Sequence, residues 1–233
     1  MTSPASQPTP PVSDTAVTES DFDTRTRLLE AAGPVFASSG YDRATVREIC
    51  AAADGVNIAS VGYYFGDKMG LYREVIRGIR DSRERRFPTP QSELSDPTEV
   101  LRAIVRTLLS RILADDPTGW ESQLMMREMQ NPTPVFDELI REFFQPLFQR
   151  LKRSLHDLTT EAVDEHVIDQ LALSVVGQCV YHKFGAKVIE ILIPATERKK
   201  HFSIETLVEH ISAVTLSALA HTKSHGVVAP PQL

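Results

Sequence analysis

Cysteine and histidine are the residue types in this chain that most often bind metals or act as nucleophiles, and their spacing favours neither role. Cys50 and Cys179 lie far apart in apolar helical segments, so we expect two reduced, buried thiols. His221 and His225 form an HxxxH pair without a third ligand, which is more typical of a solvated tail than of a zinc site. No nucleophile with a neighbouring base and no Gly-rich phosphate loop stands out. The sequence therefore predicts no catalytic residues, no metal and no cofactor.

The stretch from Tyr41 to Tyr72 indicates a different chemistry, because it has the pattern of two short helices joined by a tight turn. Thr45 precedes an apolar-periodic run and is followed three residues later by Glu48, which is the pattern of a capping box. Ile49 faces inward on the first short helix, and Gly55 supplies the turn. This pattern predicts two helices that cross one another.

The second short helix has an apolar side and an outer side of small and aromatic residues. Ile58, Val61 and Phe65 would hold it against its domain. Its outer side would enter the major groove of DNA, where small residues allow a deep approach and tyrosines reach phosphates or base edges. Lys68, at the start of the next helix, would pair with a phosphate. Short helices around a glycine turn also occur as plain bundle packing, so the pattern alone leaves both interpretations open.

Residues Thr24 to Val75 resemble the DNA-binding domain of the TetR/AcrR family of regulators. The matching strings are TRTRLLEAA, FASSGYDRATVREI and, after a turn, GVN, VGYYFGDK and LY. The resemblance implies a three-helix DNA-binding unit followed by a connecting helix. It also implies the residues that contact double-stranded operator DNA, namely Thr45 and Arg47 at phosphates or groove edges, Asn57, Ala59, Ser60, Gly62 and Tyr63 in the recognition helix, and Tyr64 and Lys68 as clamps on the DNA backbone.

Two departures from that family pattern bear on DNA binding. The turn AAADGVN carries one extra residue, Asp54, which would either tilt the recognition helix or bulge the turn. Gly62 stands where the family more often has an aromatic residue or asparagine. Residues 41–68 also hold four acidic side chains against three basic ones. This balance predicts modest non-specific affinity and more reliance on dimer geometry.

The rest of the chain reads as helices, with no strand alternation and no internal repeat, so the predicted fold class is all-α. Apolar periodicity predicts about nine helices, including one from Phe136 to Leu155 bent near Pro146 and one running from Val167 to about Ile191. The predicted organisation is a disordered arm over 1–20, a helix-turn-helix domain over 21–66, a connecting helix and linker over 67–95, a ligand-binding and dimerisation domain over 96–225, and a tail over 226–233.

The back half resembles one branch of that family, the CecR-like regulators, over most of 97–225. The similar segments are WESQLMMREMQNPTPVFDELI, FFQPLFQRLKRSL and LALSVVGQCVYHKFGAKVIEIL. The resemblance implies a dimeric, effector-sensing domain and names no effector. The two last long helices, about 165–190 and 203–222, are the best candidates for a homodimer interface, since such helices pair with their mates as a four-helix bundle.

The small-molecule pocket is expected among the helices between the linker and residue 184. Large aromatic and methionine side chains suit an adaptable apolar site, although the same pattern also describes an ordinary core. Arg127 and Glu128 would either steer a polar ligand group or form a solvated, ion-paired face. The predicted ligand-binding residues are Trp120, Met125, Met129, Phe143, Phe144, Phe148, Tyr181 and His182.

Composition sets bounds on these hypotheses. The chain has 233 residues, 42% of them hydrophobic, and a net charge of −6 that argues against a general nucleic-acid coat. We expect a cytoplasmic protein with no membrane partner, because no signal-like N-terminus and no spanning apolar run is found. The favoured function is a repressor released from a palindromic operator by a small-molecule effector. The alternatives are a helical interaction protein that has lost DNA binding through Asp54 and a small-molecule enzyme or carrier on a helical scaffold.

Overall fold

A computed structural model describes residues 19–90, 96–159 and 163–222, and every regular element in these ranges is helical, which confirms the all-α fold class. The predicted tail over 226–233, most of the predicted arm and His225 lie outside the described residues. The α-helices are α1 (Glu19–Ser39), α2 (Val46–Ala52), α3 (Ala59–Phe65), α4 (Lys68–Arg86), α5 (Pro97–Ile112), α6 (Trp120–Gln130), α7 (Phe136–Leu139), α8 (Gln145–Asp157), α9 (Glu165–Phe184), α10 (Ala186–Leu192), α11 (Ala195–His201) and α12 (Ile204–Thr222).

The chain divides into two compact units, one ending at Tyr72 and one beginning at Arg73. In the first unit, α1 packs against α2 and α3. Its core contains an aromatic cluster in which the Phe36 and Tyr72 rings meet edge-on at 4.9 Å, and Tyr41 lies 5.1 Å from Tyr72. Edge-to-face pairs of this kind add to the stability gained from burying the rings. Helix α4 starts in this unit and continues into the second.

The second unit is built around α5, which packs against α8, α9 and α12. Asp96 caps α5 by accepting a hydrogen bond from the backbone N–H of Thr98 at 2.9 Å. The apolar stripe of α5 is buried together with the inner faces of the three neighbouring helices. Among the described residues, no helix is both long enough and apolar enough to span a bilayer.

The predicted bend in the helix from Phe136 onward is a π-helical turn over Ile140–Phe144, between α7 and α8. Pro146 occupies the first turn of α8. Because proline has no N–H and its ring clashes with the carbonyl four residues earlier, it disfavours regular α-helical geometry in the turn that precedes it. The wider π turn accommodates this irregular hydrogen bonding, and the chain is α-helical on both sides of it.

The prediction of a single helix from Val167 to about Ile191 is wrong, since α9 ends at Phe184 and α10 begins after Gly185. A Cβ atom at Gly185 would lie 2.7 Å from the Tyr181 carbonyl oxygen, closer than side chains tolerate. Only glycine permits the chain to turn so tightly at this point. This break and the short α7 and α11 raise the number of helical segments above the predicted number.

Candidate DNA-binding and ligand-binding sites

Helix α3 presents most of the predicted recognition residues to solvent. Val61 is buried and anchors the helix in its unit, while Gly62 and Tyr63 are exposed, the tyrosine by 71%. The Asn57 side-chain oxygen accepts a hydrogen bond from the Ala59 backbone N–H at 2.9 Å, which closes the first turn. The Asn57 amide group keeps both N–H donors for contacts outside the unit.

The inner side of α3 differs in part from the sequence-based expectation. Phe65 is half-buried and lies under the guanidinium of Arg25, 5.4 Å from the ring centroid. Ile58 was expected to anchor the helix but is 50% exposed, so that expectation is wrong. The reason is its position, because Ile58 precedes the first helical residue and therefore falls outside the apolar side of the helix.

Thr45 and Glu48 form the predicted capping box at the start of α2. The Thr45 hydroxyl accepts from the Glu48 N–H at 3.2 Å and donates to the Glu48 carboxylate at 2.9 Å, and the Thr45 N–H reaches the same carboxylate oxygen at 2.9 Å. These hydrogen bonds from the backbone and hydroxyl of Thr45 lower the pKa of Glu48. Because the Thr45 hydroxyl proton is already donated, its described role is to cap α2.

Arg47 is exposed on α2, and within the described residues it forms no hydrogen bond or ion pair. Lys68 is different, because its ammonium donates to the carbonyl oxygens of Tyr41 at 2.9 Å and Ala44 at 3.0 Å. It also lies over the Tyr41 ring at 4.4 Å. In this structure Lys68 therefore holds the turn between α1 and α2, a role that the sequence pattern did not predict.

The turn after α2 absorbs the extra residue Asp54 without disrupting either helix. Asp54 has a φ of 56°, the left-handed conformation that often ends helices, and the Gly55 N–H donates to the Cys50 carbonyl at 3.0 Å. Asp is one of the few residues other than glycine that adopt this conformation. Arg27 closes the turn from α1 by donating to the Ala53 carbonyl at 2.8 Å.

The second unit contains a cavity of about 440 Å³. This volume lies within the range of roughly 300–1,000 Å³ that small-molecule sites occupy. Residues of α4, α5, α6, α8, α9 and the π turn line it, and most of the lining side chains are apolar. Five of the predicted ligand-binding residues line the cavity, namely Met125, Met129, Phe143, Phe144 and Phe148.

Trp120, Tyr181 and His182 do not line the cavity. Tyr181 is 53% exposed on the outer side of α9. The His182 ring instead packs 6.1 Å from the ring of Phe202, and burial and the nearby His210 lower the pKa of His182. The neighbouring Val180 faces the cavity in their place, because adjacent residues of a helix point in directions about 100° apart.

The cavity wall also contains residues that the sequence did not suggest, notably the cations Arg83, Arg111 and Lys183. Arg83 and Arg111 are almost fully buried, with 8% and 5% exposure. Glu128, by contrast, does not line the cavity. It is buried and accepts hydrogen bonds from the Thr133 backbone N–H and hydroxyl at 2.9 and 2.8 Å, so it holds the loop after α6.

Neither cysteine is placed for nucleophilic chemistry. Both are buried, and burial raises the pKa of Cys50 and raises that of Cys179 to about 12. Each is therefore a neutral thiol at physiological pH. Within the described parts of the chain, no cluster of three metal-ligating side chains is found.

A short capped helix, a tight turn and a second short helix with an exposed outer side define a helix-turn-helix DNA-binding protein, here joined to a helical unit with an internal cavity. Residues 28–75 match the profile of bacterial regulatory proteins of the tetR family. Residues 97–219 match the profile described as the C-terminal domain of the HTH-type transcriptional dual regulator CecR. The chain belongs to the TetR family of transcriptional regulators, in the group that carries the CecR C-terminal domain. Members of this family bind DNA operators and dimerise, and they are generally not enzymes.

Individual relatives agree with this assignment. The transcriptional dual regulator CecR of Shigella flexneri is 28% identical over 214 residues, covering 85% of this chain and 94% of the relative. A transcriptional regulator from Rhodococcus sp. Rha1 has a TM-score of 0.55 and 22% identity, covering 85% of this chain and 96% of the other. The structure of superantigen pfit has a TM-score of 0.59 at 17% identity, covering 82% of this chain and 87% of the other. At such identities the two solved structures show a shared fold alone.

Proposed function

We propose that this regulator is a homodimeric, cytoplasmic repressor that a small-molecule effector releases from a palindromic operator. The observation that carries the proposal is helix α4, one continuous helix that contributes to both units. Its first residue, Lys68, donates to carbonyls of the turn between α1 and α2, and its Arg83 lines the cavity of the second unit. A ligand that displaces α4 would therefore also move Lys68, which holds the turn between α1 and α2 in the first unit.

In the proposed complex, α3 enters the major groove with the small residues of its outer side against the bases. Gly62 favours this approach, since apart from its own helix backbone no atom of the described residues lies within 4 Å of the position of a Cβ on it. Asn57 and Tyr63 would read base edges, together with the small Ala59 and Ser60. Arg47 and Tyr64 would contact phosphates, while Thr45 and Lys68 act by fixing α2 and its preceding turn.

We propose that dimerisation uses the outer faces of α9 and α12. Exposed Leu173, Tyr181 and Phe184 lie along α9 with the exposed Gly177 between them, and Leu173 and Phe184 also border the cavity at this side of the helix. The outer face of α12 is small and apolar as well, with Ala213, Val214, Ser217 and Ala220 exposed. Small side chains allow two helices to approach closely, and neighbouring exposed apolar residues are a feature of protein–protein interfaces.

The dimer proposal can be tested with one charge placed at Gly177. Apart from its own helix backbone, no atom of the described residues lies within 4 Å of the position of a Cβ on this residue, so Gly177→Glu is compatible with the fold of the protomer. We expect it to convert a dimer to a monomer in sedimentation-velocity experiments. Gly78→Glu is the matched control, because Gly78 is exposed on α4 with equal space around it. A Gly177→Glu protein that stays dimeric would contradict this interface.

Release from the operator is proposed to be a shift between two populations. The two recognition helices of a dimer must sit about 34–36 Å apart to enter successive major grooves. A ligand lowers DNA affinity only when it binds the DNA-incompatible arrangement more tightly. Equal affinity of an effector for free and DNA-bound protein would contradict this mechanism.

The decisive experiment is fluorescence-anisotropy binding to DNA from upstream of the protein's own coding region, with scrambled DNA as the control, near physiological salt. We expect specific binding with two protomers per site. If this DNA is not preferred, genome-wide selection of binding sites follows. Failure of both would favour the alternative of a helical interaction protein.

A further inference from the structure

The wall of the cavity has an unbalanced charge. The three charged side chains among the described lining residues are all cations, Arg83, Arg111 and Lys183, and no aspartate or glutamate accompanies them. Most of the remaining wall is apolar, with Ser122, Gln145 and Gln149 as its neutral polar residues. A buried charge is costly unless it is paired. The position of the carboxylate nearest to each cation therefore determines which ligand charge the cavity would bind best.

Two of the three cations have a carboxylate behind the wall. Arg83 donates to the Glu121 carboxylate at 3.0 Å. Lys183 lies close enough to Asp116 for the two charges to attract each other. Even so, Nε of Arg83 has no acceptor within the described residues, so this cation keeps an unused donor.

Of the two buried cations, Arg111 has the weaker contact with a carboxylate. Its Nε donates to the Phe87 carbonyl at 2.8 Å and its Nη2 to the Thr89 hydroxyl at 3.0 Å, and neither acceptor carries a net charge. The carboxylate of Glu84 is 3.9 Å away, beyond hydrogen-bond distance, on a side chain that is 53% exposed. Arg111 itself is 5% exposed.

The remaining contact of the Arg111 guanidinium directs it toward the cavity. It lies 5.1 Å from the centroid of the Phe143 ring, and Phe143 is also part of the wall. Burial lowers the pKa of Arg111, although arginine stays protonated in proteins. A desolvated cation that is only weakly balanced by the exposed Glu84 therefore borders a mostly apolar space of about 440 Å³.

We propose that the effector is an amphipathic anion, an apolar molecule with one acidic group that binds at Arg111. The planar guanidinium matches the geometry of a carboxylate, and hydrogen bonds between charged partners are the strong ones. The apolar wall around Met125 and Phe148 would surround the body of such a ligand. This inference rests on the proposed function, because it specifies the chemistry of the effector for the same cavity.

The test compares three probes that share one tail and differ in head group, namely decanoate, decanol and decylamine, each below its micelle concentration. Isothermal titration calorimetry on the full chain gives their affinities. We expect decanoate to bind at least ten-fold more tightly than either of the others. Arg111→Met should remove this preference by weakening decanoate at least ten-fold. Arg106→Met is the matched control on the same helix, because Arg106 is more exposed and pairs with Glu205 outside the cavity wall.

Each outcome separates this inference from the proposed function. Equal affinity for the three probes, or tighter binding of decylamine, would contradict the proposal that the ligand carries an acidic group. It would still be consistent with a ligand-binding cavity. Binding of none would overturn the amphipathic anion as the ligand class, while operator binding in the anisotropy assay would still decide the proposed function separately. Binding of decanoate without any change in operator affinity would overturn the effector role while supporting the ligand class. If circular dichroism shows that Arg111→Met does not fold, the head-group comparison on the unmodified protein still decides the question.

Discussion

Helix α4 uses positive charge in different ways in the two units. At its start, in the first unit, Lys68 donates to main-chain carbonyls of Tyr41 and Ala44. Further along, in the second unit, Arg73 and Arg77 both donate to the carboxylate of Glu138. A carbonyl oxygen satisfies a donor but does not cancel its charge, whereas a carboxylate does both.

This difference follows from what each unit has to do. In the first unit Arg43 also donates to a carbonyl, that of Ser39 at 3.0 Å, so a cation that stabilises the fold keeps a charge that attracts phosphates. Arg27 donates to the Ala53 carbonyl as well, but Asp23 and Asp54 lie 3.7 and 3.8 Å from its guanidinium and balance part of its charge. In the second unit, bridges such as Arg106 to Glu205 cross between helices and cancel charge. A chain with a net charge of −6 can therefore keep cations available beside its recognition helix.

The largest effect is expected for a carboxylate placed on the recognition helix. Gly62→Glu should lower operator affinity roughly 100-fold or more, since it fills the closest approach to DNA and adds repulsion from phosphates. Thermal stability should be unchanged or higher, because glutamate is a better helix former than glycine. Anisotropy titrations check the affinity, with Gly78→Glu as the control of equal charge. An equal loss in both variants would show that total charge, and not the outer side of α3, determines binding.

The next-largest effect is a loss of stability when a cation–carbonyl contact of the first unit is removed. Lys68→Met should lower the free energy of unfolding by about 1–2 kcal/mol, since it leaves two carbonyls without their donor. Chemical denaturation monitored by circular dichroism provides the measurement. Lys187→Met is the control, because Lys187 is 83% exposed and should change stability by no more than about 0.5 kcal/mol. Equal stability of the two variants would mean that the Lys68 contacts do not hold the turn.

The cation–carboxylate contacts of the second unit should respond less strongly but in a pH-dependent way. Glu138→Gln should lower the free energy of unfolding by about 1 kcal/mol at pH 7, since its arginine partners are more than a third exposed and partly screened. Partial burial acts to raise the pKa of Glu138, but Arg77 and Arg73 outweigh it and hold the pKa below its ordinary value of 4.5.

This lowered pKa fixes the sign of the pH dependence. The stabilisation from Glu138 is fully present above the unfolded pKa, near 4.5, and is lost as the pH falls through the lower folded value. The difference in stability between the parent protein and Glu138→Gln should therefore shrink as the solution is acidified below that point. Denaturation at several pH values tests this, and a difference that grows in acid would contradict the pairing.

The smallest effect is expected at Arg47. Arg47→Ala should weaken operator binding several-fold and reduce the slope of log affinity against log salt by about 0.9, the value for one phosphate contact. Titrations at four or more salt concentrations give the slope. Arg106→Ala removes the same charge far along the sequence and should leave the slope as it was. A slope unaffected by Arg47→Ala would exclude it from phosphate contact.

Sequence patterns succeeded where a local rule determined the structure. The capping box of Thr45 and Glu48 is visible in the sequence because its two partners are three residues apart. The irregularity before Pro146 was likewise predictable, since the proline ring clashes with the carbonyl four residues earlier whenever the chain before it is helical. The left-handed conformation of Asp54 shows how the turn accepts an extra residue, which the sequence alone left open between two outcomes.

Patterns failed where burial depends on several helices at once. Arg83 and Arg111 read as ordinary charged positions on amphipathic helices, and only the packing of α4, α5 and the π turn buries them. Apolar residues occur on nearly every side of α9, so the spacing of these residues does not predict which side faces the cavity. In the structure Val180 faces the cavity and Tyr181 faces out. Residue type alone then favoured the tyrosine wrongly.

The π turn over Ile140–Phe144 has a consequence for the comparison of related sequences. A π turn is an α-helix with one residue inserted, and here Ile140, Phe143 and Phe144 of that turn line the cavity. An alignment with a relative that lacks the turn should therefore place a one-residue gap inside this helix and not in a loop. Deletion of one codon in this turn, together with replacement of Pro146, would change the directions in which Phe143 and Phe144 point. The helical segments on both sides would keep their positions. Ligand preference among such regulators can thus diverge through insertions and deletions as well as through substitutions.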